Sequence, residues 1–175
     1  MTLPARPQPV FSASFATTAE AHLDDVYGYL VYLTRDRTLA EDLAAETFEK
    51  ALKLWKRFDP QRASARTWLC QIARTTALDW FRAEERRHRR EDAVAQSDKT
   101  VADATETAMP EGLSPELETA LASLSAGERE VIALRILLEL DGDEAARVLG
   151  ISPTAVSTRL SRALTKLEER MTVHV

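Results

Sequence analysis

Cysteine is nearly absent from this chain: Cys70 is the only one in 175 residues. One thiol cannot close an internal disulfide, which excludes a stapled secreted scaffold and points to a reducing, cytoplasmic setting. Cys70 sits among Leu69, Ile72 and Ala73 and reads as a small buried apolar group, not a reactive one. His22, His88 and His174 are scattered without cysteine partners, so no metal site is expected. Glycine is scarce, at 5 residues, and no run of alternating β-branched residues occurs, so strands have little support. No apolar run reaches the length of a membrane span and the N-terminus lacks a signal-peptide pattern, so membrane insertion is not expected. Positive charge is not in excess: 23 Lys and Arg against 28 Asp and Glu give a formal net charge of −5. A general polyanion binder is thereby excluded, and any nucleic-acid contact must come from local basic patches or from a larger complex. There is no glycine-rich phosphate loop and no nucleophile with a base beside it. The pairs Glu41/Asp42 and Glu84/Glu85 point about 100° apart on a helix and do not converge on one atom. Neither enzyme chemistry nor a cofactor is expected.

What the sequence does have is helical periodicity, with 45% hydrophobic and 29% charged residues. The fold class expected is all-α: two small helical domains joined by an acidic flexible linker, the second containing a helix-turn-helix. Residues 1–16, with Pro4, Pro7 and Pro9, read as a flexible tail. Thr17 with Glu20 reads as a capping box opening a helix whose inner face is Leu23, Val26, Tyr27, Leu30 and Leu33. Thr38 with Glu41 opens a second helix through Leu43, Phe48, Leu52 and Trp55, ending before Asp59-Pro60. Ser64 caps the longest helix, to about Arg90, which buries Trp68, Leu69, Ile72, Ala73, Thr76 and Trp80 and then turns basic at Arg82, Arg86, Arg87, His88, Arg89 and Arg90. This bounds a first domain at residues 17–90. Residues 91–113 lose periodicity and become acidic, as a linker does. The second domain, 114–175, opens at Ser114-Pro115, continues through a capping box at Ser125 and Glu128, and places Val131, Ile132, Leu134, Ile136 and Leu137 on one helix.

The most informative stretch runs from Asp143 to Met171. A helix carrying Ala146, Val148 and Leu149 stops at Gly150, which can take the left-handed conformation of a sharp turn. Ser152 then stands at an N-cap and Pro153 at the first helical position. The next helix buries Val156, Leu160, Leu164 and Leu167 and shows Thr154, Ser157, Thr158, Arg159, Arg162 and Lys166 on its other face. That is the pattern of a helix-turn-helix with a recognition helix. A plain helical hairpin with a solvated basic face is the competing reading.

Three stretches, AEDLAAETFEKAL, ARTWLCQIARTTALDWFRAEERR and LSAGEREVIALRILLELDGDEAARVLGISPTAVSTRLSRALTKL, lie in order along the chain. Together they resemble a sigma factor of the extracytoplasmic-function (ECF) group, the smallest type, which keeps only the second and fourth conserved regions. The resemblance implies core RNA polymerase and promoter DNA as partners, and an anti-sigma factor as a further one. It implies that the first domain reads and opens the minus-ten element, for which Arg62, Arg66, Asp79, Arg82 and Arg86 are the candidates. It implies that Glu41, Asp42 and Glu46 face the polymerase clamp helices, with Thr38, Leu43 and Phe48 structural. The minus-thirty-five element falls to Thr154, Ser157, Thr158, Arg159 and Arg162, with Lys166 on phosphate and the helix start at Ser152 suited to another phosphate. The chain departs from the family pattern at Thr75, Ala45 and the segment Asp141 to Ala146. The last lacks the family's aromatic and isoleucine, which implies looser packing of that helix or a partner covering it. A sigma-like module that only sequesters an anti-sigma factor is the alternative. The basic side chains retained at Arg82 to Arg90 and on the recognition helix weigh against it, because a decoy needs neither.

Overall fold

A computed structural model of the chain describes residues 14–94 and 115–172. All regular structure among the described residues is helical: α1 (Phe15–Thr34), α2 (Arg37–Leu54), α3 (Ala65–Val94), α4 (Pro115–Ala122), α5 (Ala126–Ile132), α6 (Gly142–Leu149) and α7 (Pro153–Thr172). A 3-10 turn, Trp55–Arg57, ends α2, and a π turn, Ala133–Leu137, follows α5. Helices α1, α2 and α3 pack on one another, and α4, α6 and the π turn gather around α5 and α7. Val26, Leu30, Leu43, Leu69, Ala73 and Ala77 fill the first core; Val131, Leu134, Leu140, Ala145, Val156 and Ala163 fill the second. No helix among the described residues is long and apolar enough to cross a membrane.

Local signals set most of the helix ends in the second half. Ser125 and Glu128 form a full capping box, and Gly150 closes α6 at φ 67°. Ser152 accepts from the Ala155 amide at 3.1 Å and Pro153 is the first residue of α7. Ser64 caps α3 through the Thr67 amide. Ser114 and the linker from residue 95 lie outside the described residues. Helix α3 itself runs four residues past the expected Arg90.

The two N-terminal caps differ from expectation. Ser14, not Thr17, caps α1, and Asp36, not Thr38, caps α2. In both cases a good capping side chain lies upstream in extended backbone, the conformation an N-cap needs, while the threonine falls inside the first turn. The apolar faces shift as well. Leu23 and Leu52 are exposed, whereas Tyr29 and Tyr32 are buried. In the second half the π turn inserts one extra residue, with the Leu138 amide reaching back to the Ala133 carbonyl. That rotates Ile136 and Leu137 into solvent and turns Leu138 and Leu140 inward. On α7 Val156 is buried as expected, but the next buried residue is Ala163, one step from the exposed Leu164.

Tyr29 is buried because α1 has a second neighbour: α5 of the other unit packs on it. The Tyr29 hydroxyl donates to Glu130 Oε1 at 2.9 Å, and Arg74 Nε donates to the same oxygen at 2.7 Å. At the other end of this seam, Ser64 Oγ and Thr67 Oγ1 each donate to Glu144 Oε1 at 2.9 Å, and Gln71 donates to the Arg147 carbonyl. Helix α6 is therefore not loosely packed, as its departures implied. Its small residues Ala145 and Ala146 are buried, and α3 of the same chain covers it.

Candidate functional site

Helix α7, expected to be the recognition helix, shows the polar face the sequence implied. Thr154, Ser157, Thr158, Arg162 and Lys166 are exposed and Arg159 is half-buried. Ser157 and Thr158 donate their hydroxyl protons back to Pro153 and Thr154 carbonyls, which leaves their oxygen lone pairs facing outward. Arg159 lies across α5 at Gly127, where an added Cβ would meet its Nη1 at 3.2 Å. Thr154, Thr158, Arg159 and Arg162 share a groove of about 530 Å³ with Ser125 and Glu128. Two of the expected residues are otherwise occupied. Ser152 spends its side chain as the helix cap, and Lys166 Nζ is held by Glu128 Oε1 at 2.6 Å rather than standing free for a phosphate. The lysine's hydrogen bond and the Ser125 amide hold the Glu128 carboxyl down at about 2.

The minus-ten candidates fall into two groups rather than one. Arg62 stands in the loop before α3, beside Asp59, and Arg66 sits half-buried near Asp25. Asp79 and Arg82 pair at 3.4 Å on α3, with Arg86 exposed one turn further. Sixteen residues of helix separate Arg66 from Arg82, about 24 Å at 1.5 Å per residue. What the loop does sit beside is an aromatic cluster that sequence reasoning left dispersed. Phe58 stacks on Trp55 with ring centroids 5.1 Å apart, Trp68 lies 5.0 Å from Phe58, and Phe15 meets Trp55 edge-on at 5.5 Å. Trp55, Phe58 and Trp68 all keep part of their surface exposed. The spacing of Trp55 and Phe58, one helical turn before the polar loop, was the available signal. Trp80 and Phe81 form a separate edge-on pair further along α3.

On α2, Glu41, Asp42 and Glu46 are all exposed, with Glu46 paired to Lys50 at 2.7 Å. Glu41 rims a shallow groove of about 380 Å³ whose floor is Leu23, Tyr27, Ala44 and Phe48. Phe48, partly buried against the core, and Leu23, expected on the inner face of α1 but exposed, line an apolar strip with an acidic edge. Cys70 is fully buried, and burial pushes its thiol up to about 12, so it is chemically quiet.

The sigma-70 region 2 family matches residues 18–87, and the sigma-70 region 4 family matches residues 114–167. The RNA polymerase sigma factor YlaC of Bacillus subtilis is 32% identical over 153 residues, spanning 86% of this chain and 88% of YlaC. The ECF RNA polymerase sigma factor SigX of the same organism is 29% identical over 165 residues, spanning 90% of this chain and 84% of SigX. Among solved structures, the sigma factor RpoE in complex with the anti-sigma factor NepR from Bartonella quintana shares the fold with a TM-score of 0.73, 24% identity, and coverage of 91% and 97% of the two chains. CnrH in complex with the cytosolic domain of CnrY superposes with a TM-score of 0.64 at 25% identity, covering 92% of this chain and 89% of CnrH.

Proposed function

The chain belongs to the sigma-70 family and is a promoter-directing sigma factor of the ECF group, and we propose how its two units divide that work. Core RNA polymerase and promoter DNA are its partners, and it is a transcription initiation factor rather than an enzyme. Its place of action is the cytoplasm. Residues 114–175 dock α7 in the major groove of the minus-thirty-five element, with Arg159 and Arg162 on base edges and Thr154, Ser157 and Thr158 on bases or phosphates. Lys166 joins a phosphate only after leaving Glu128. Residues 17–90 take the minus-ten element. Trp55, Phe58 and Trp68 offer rings for an unstacked base beside the loop of Arg62, and Arg66, Asp79, Arg82 and Arg86 track the strand along α3. The strip of Leu23, Tyr27 and Phe48, edged by Glu41, Asp42 and Glu46, receives the polymerase clamp. An anti-sigma factor is a further partner, by analogy with RpoE bound to the anti-sigma factor NepR.

The observation that carries this division is the polar face of α7, which keeps Arg162 exposed and unpaired among the described residues. A geometric consequence follows. Two elements about 25 base pairs apart lie roughly 85 Å from each other at 3.4 Å per pair. A compact chain of this length has a radius of gyration of about 16 Å. The seam between α3 and α6 must therefore open for both elements to be read at once, with residues 91–113 as the tether. Run-off transcription with core polymerase from a matching bacterium tests the reading. Discrete new transcripts are expected, and Arg162→Ala is expected to lower them at least tenfold, as loss of one good base contact does. Glu41→Lys with Asp42→Lys is expected to weaken core binding without unfolding the chain. Transcripts unaffected by Arg162→Ala would overturn the role assigned to α7.

A further inference from the structure

Where the two units meet, a groove of about 590 Å³ opens between α1, α3 and α5. Four of its lining residues are arginines: Arg35, Arg74, Arg129 and Arg159. The single carboxylate in its wall, Glu130, is already taken by Arg74 and Tyr29. Arg129 donates to the Leu124 carbonyl, and neither Arg35 nor Arg159 forms an ion pair among the described residues. Two polar atoms here are buried without any hydrogen-bond partner, Tyr32 Oη and Arg35 Nε. Tyr32 is only 5% exposed. Orphaned buried donors are rare because each forfeits the hydration it had in the unfolded chain. The positive charges also repel one another: burial and the neighbouring Arg129 both push the Arg35 guanidinium below its ordinary value. Leu33, Leu78 and Phe81 supply an apolar wall.

We propose that this groove binds a phosphate-class oxyanion, held by Arg35 and Arg129 with the Tyr32 hydroxyl donating to it. Planar guanidinium forks match phosphate oxygens two at a time, and a neutral hydroxyl completes the coordination without adding repulsion. The anion answers both the unsatisfied donors and the excess positive charge, which an apolar ligand would leave unchanged. Because Tyr32 lies on α1, Arg35 caps its C-terminal end and Arg129 lies on α5, the anion bridges the two units. Binding only when they are together, it favours the closed arrangement by mass action. This last consequence rests on the reading that promoter binding requires the seam to open.

Titration of the full chain with inorganic phosphate by calorimetry, against chloride at matched ionic strength, tests the site. Saturable heat with phosphate alone is expected. Arg35→Gln and Arg129→Gln are each expected to weaken it at least tenfold, since hydrogen bonds to a charged group are worth about 1.5–3 kcal/mol. Tyr32→Phe, which keeps the buried ring, is expected to weaken it severalfold. Lys53→Gln, on the exposed face of α2, leaves it unchanged. A parallel titration with a nucleoside diphosphate separates the sources: tighter binding than phosphate assigns the Phe81 wall to a base, and equal binding assigns the site to the phosphate group alone. Equal heats for phosphate and chloride, or binding that survives Arg35→Gln and Arg129→Gln together, would overturn the proposal. So would binding of an acidic peptide where phosphate fails, which would give the groove to a protein. Circular dichroism of each variant separates lost binding from lost fold, and the phosphate-dependent fall in scattering radius reads the closing independently of promoter activity.

Discussion

Inside the first unit, α3 meets α1 and α2 through Leu69, Cys70, Ala73 and Ala77, packed against Val26, Leu30 and Leu43, none more than 2% exposed. Where the same helix meets α6 and α5 of the second unit it offers Ser64, Thr67, Gln71 and Arg74 instead. One helix thus presents an apolar face to its permanent neighbours and a hydrogen-bonding face to a removable one. Apolar burial has no comparable alternative in water, so a core opens only by unfolding. Polar partners are different: once separated, each is re-solvated, and the net cost of parting is about 0.5–1.5 kcal/mol for a neutral bond and about 1.5–3 kcal/mol for one to a carboxylate such as Glu130 or Glu144. Along α3 the seam is of the second kind, although α5 also buries the Tyr29 and Tyr32 rings of α1, and parting must re-expose them. A hydrogen-bonded face on α3 suits the proposal that the two units separate to read two promoter elements.

The sharpest way to break the contrast is to attack both sides of α3. Leu69→Ala, in the core, is expected to destabilise the first unit by about 2–5 kcal/mol and to lower its melting temperature clearly. Glu130→Ala, in the seam, is expected to remove about 2–4 kcal/mol of contact between units, since it leaves Tyr29 Oη and Arg74 stranded. Its signature is a larger scattering radius with little change in helical content. If Glu130→Ala instead unfolded the chain while Leu69→Ala opened it, the distinction between seam and core would be wrong.

These two positions also show where the sequence was legible. The caps at Ser64, Ser125, Gly150 and Ser152 are local arrangements of a few residues, and local chemistry decided them. Leu69 announced itself by spacing on one helix. Glu130 did not, because a glutamate between Arg129 and Val131 reads as solvated until another unit is placed on it. Tyr29 and Tyr32 were hidden for the same reason: their burial comes from α5, about a hundred residues along the chain. Ile136 and Leu137 misled because a π turn changes the period that places residues on a face. The exposed polar positions of α7 were readable residue by residue, but not the half-burial of Arg159 nor the pairing of Lys166, whose carboxylate partner lies on another helix.

Within the second unit, the Glu128–Lys166 pair ties α5 to α7 and should behave as part of a core rather than of the seam. Its carboxyl is held at about 2, below its ordinary value, so its stabilisation is present above the normal carboxylate range and is lost as pH falls through that range towards 2. The lysine is half-exposed, so the contribution is on the order of 1–2 kcal/mol. Lys166→Met is expected to flatten the acid limb of the melting temperature between about pH 4.5 and 2 while leaving the scattering radius at neutral pH unchanged. An identical acid limb in both proteins would remove this tie from the account.

The smallest effect belongs to Glu144, and it is the most discriminating. Its carboxylate does two jobs: it accepts from Ser64 and Thr67 across the seam, and it closes the capping box of its own helix through the Asp141 amide. Burial works against its charge, but the Thr67 and Ser64 hydroxyls and the Asp141 amide prevail and hold its pKa below the ordinary value. Glutamine has one acceptor oxygen: placed on the Asp141 amide it keeps the capping box, and its NH2 then faces the Ser64 and Thr67 hydroxyls and donates to one of them, so Glu144→Gln replaces the charge-assisted seam bonds by a neutral one. About 1 kcal/mol or less is expected, a shift of the closed population of roughly threefold to fivefold. A dye pair on exposed Glu49→Cys and Ser161→Cys can follow it, because buried Cys70 does not compete for label. The wild-type closed fraction should fall as salt rises, and the Glu144→Gln protein should respond less, since the charge that salt screens is gone. A salt response unchanged by Glu144→Gln would locate the electrostatic hold elsewhere in the seam, at Arg74 and Glu130 alone.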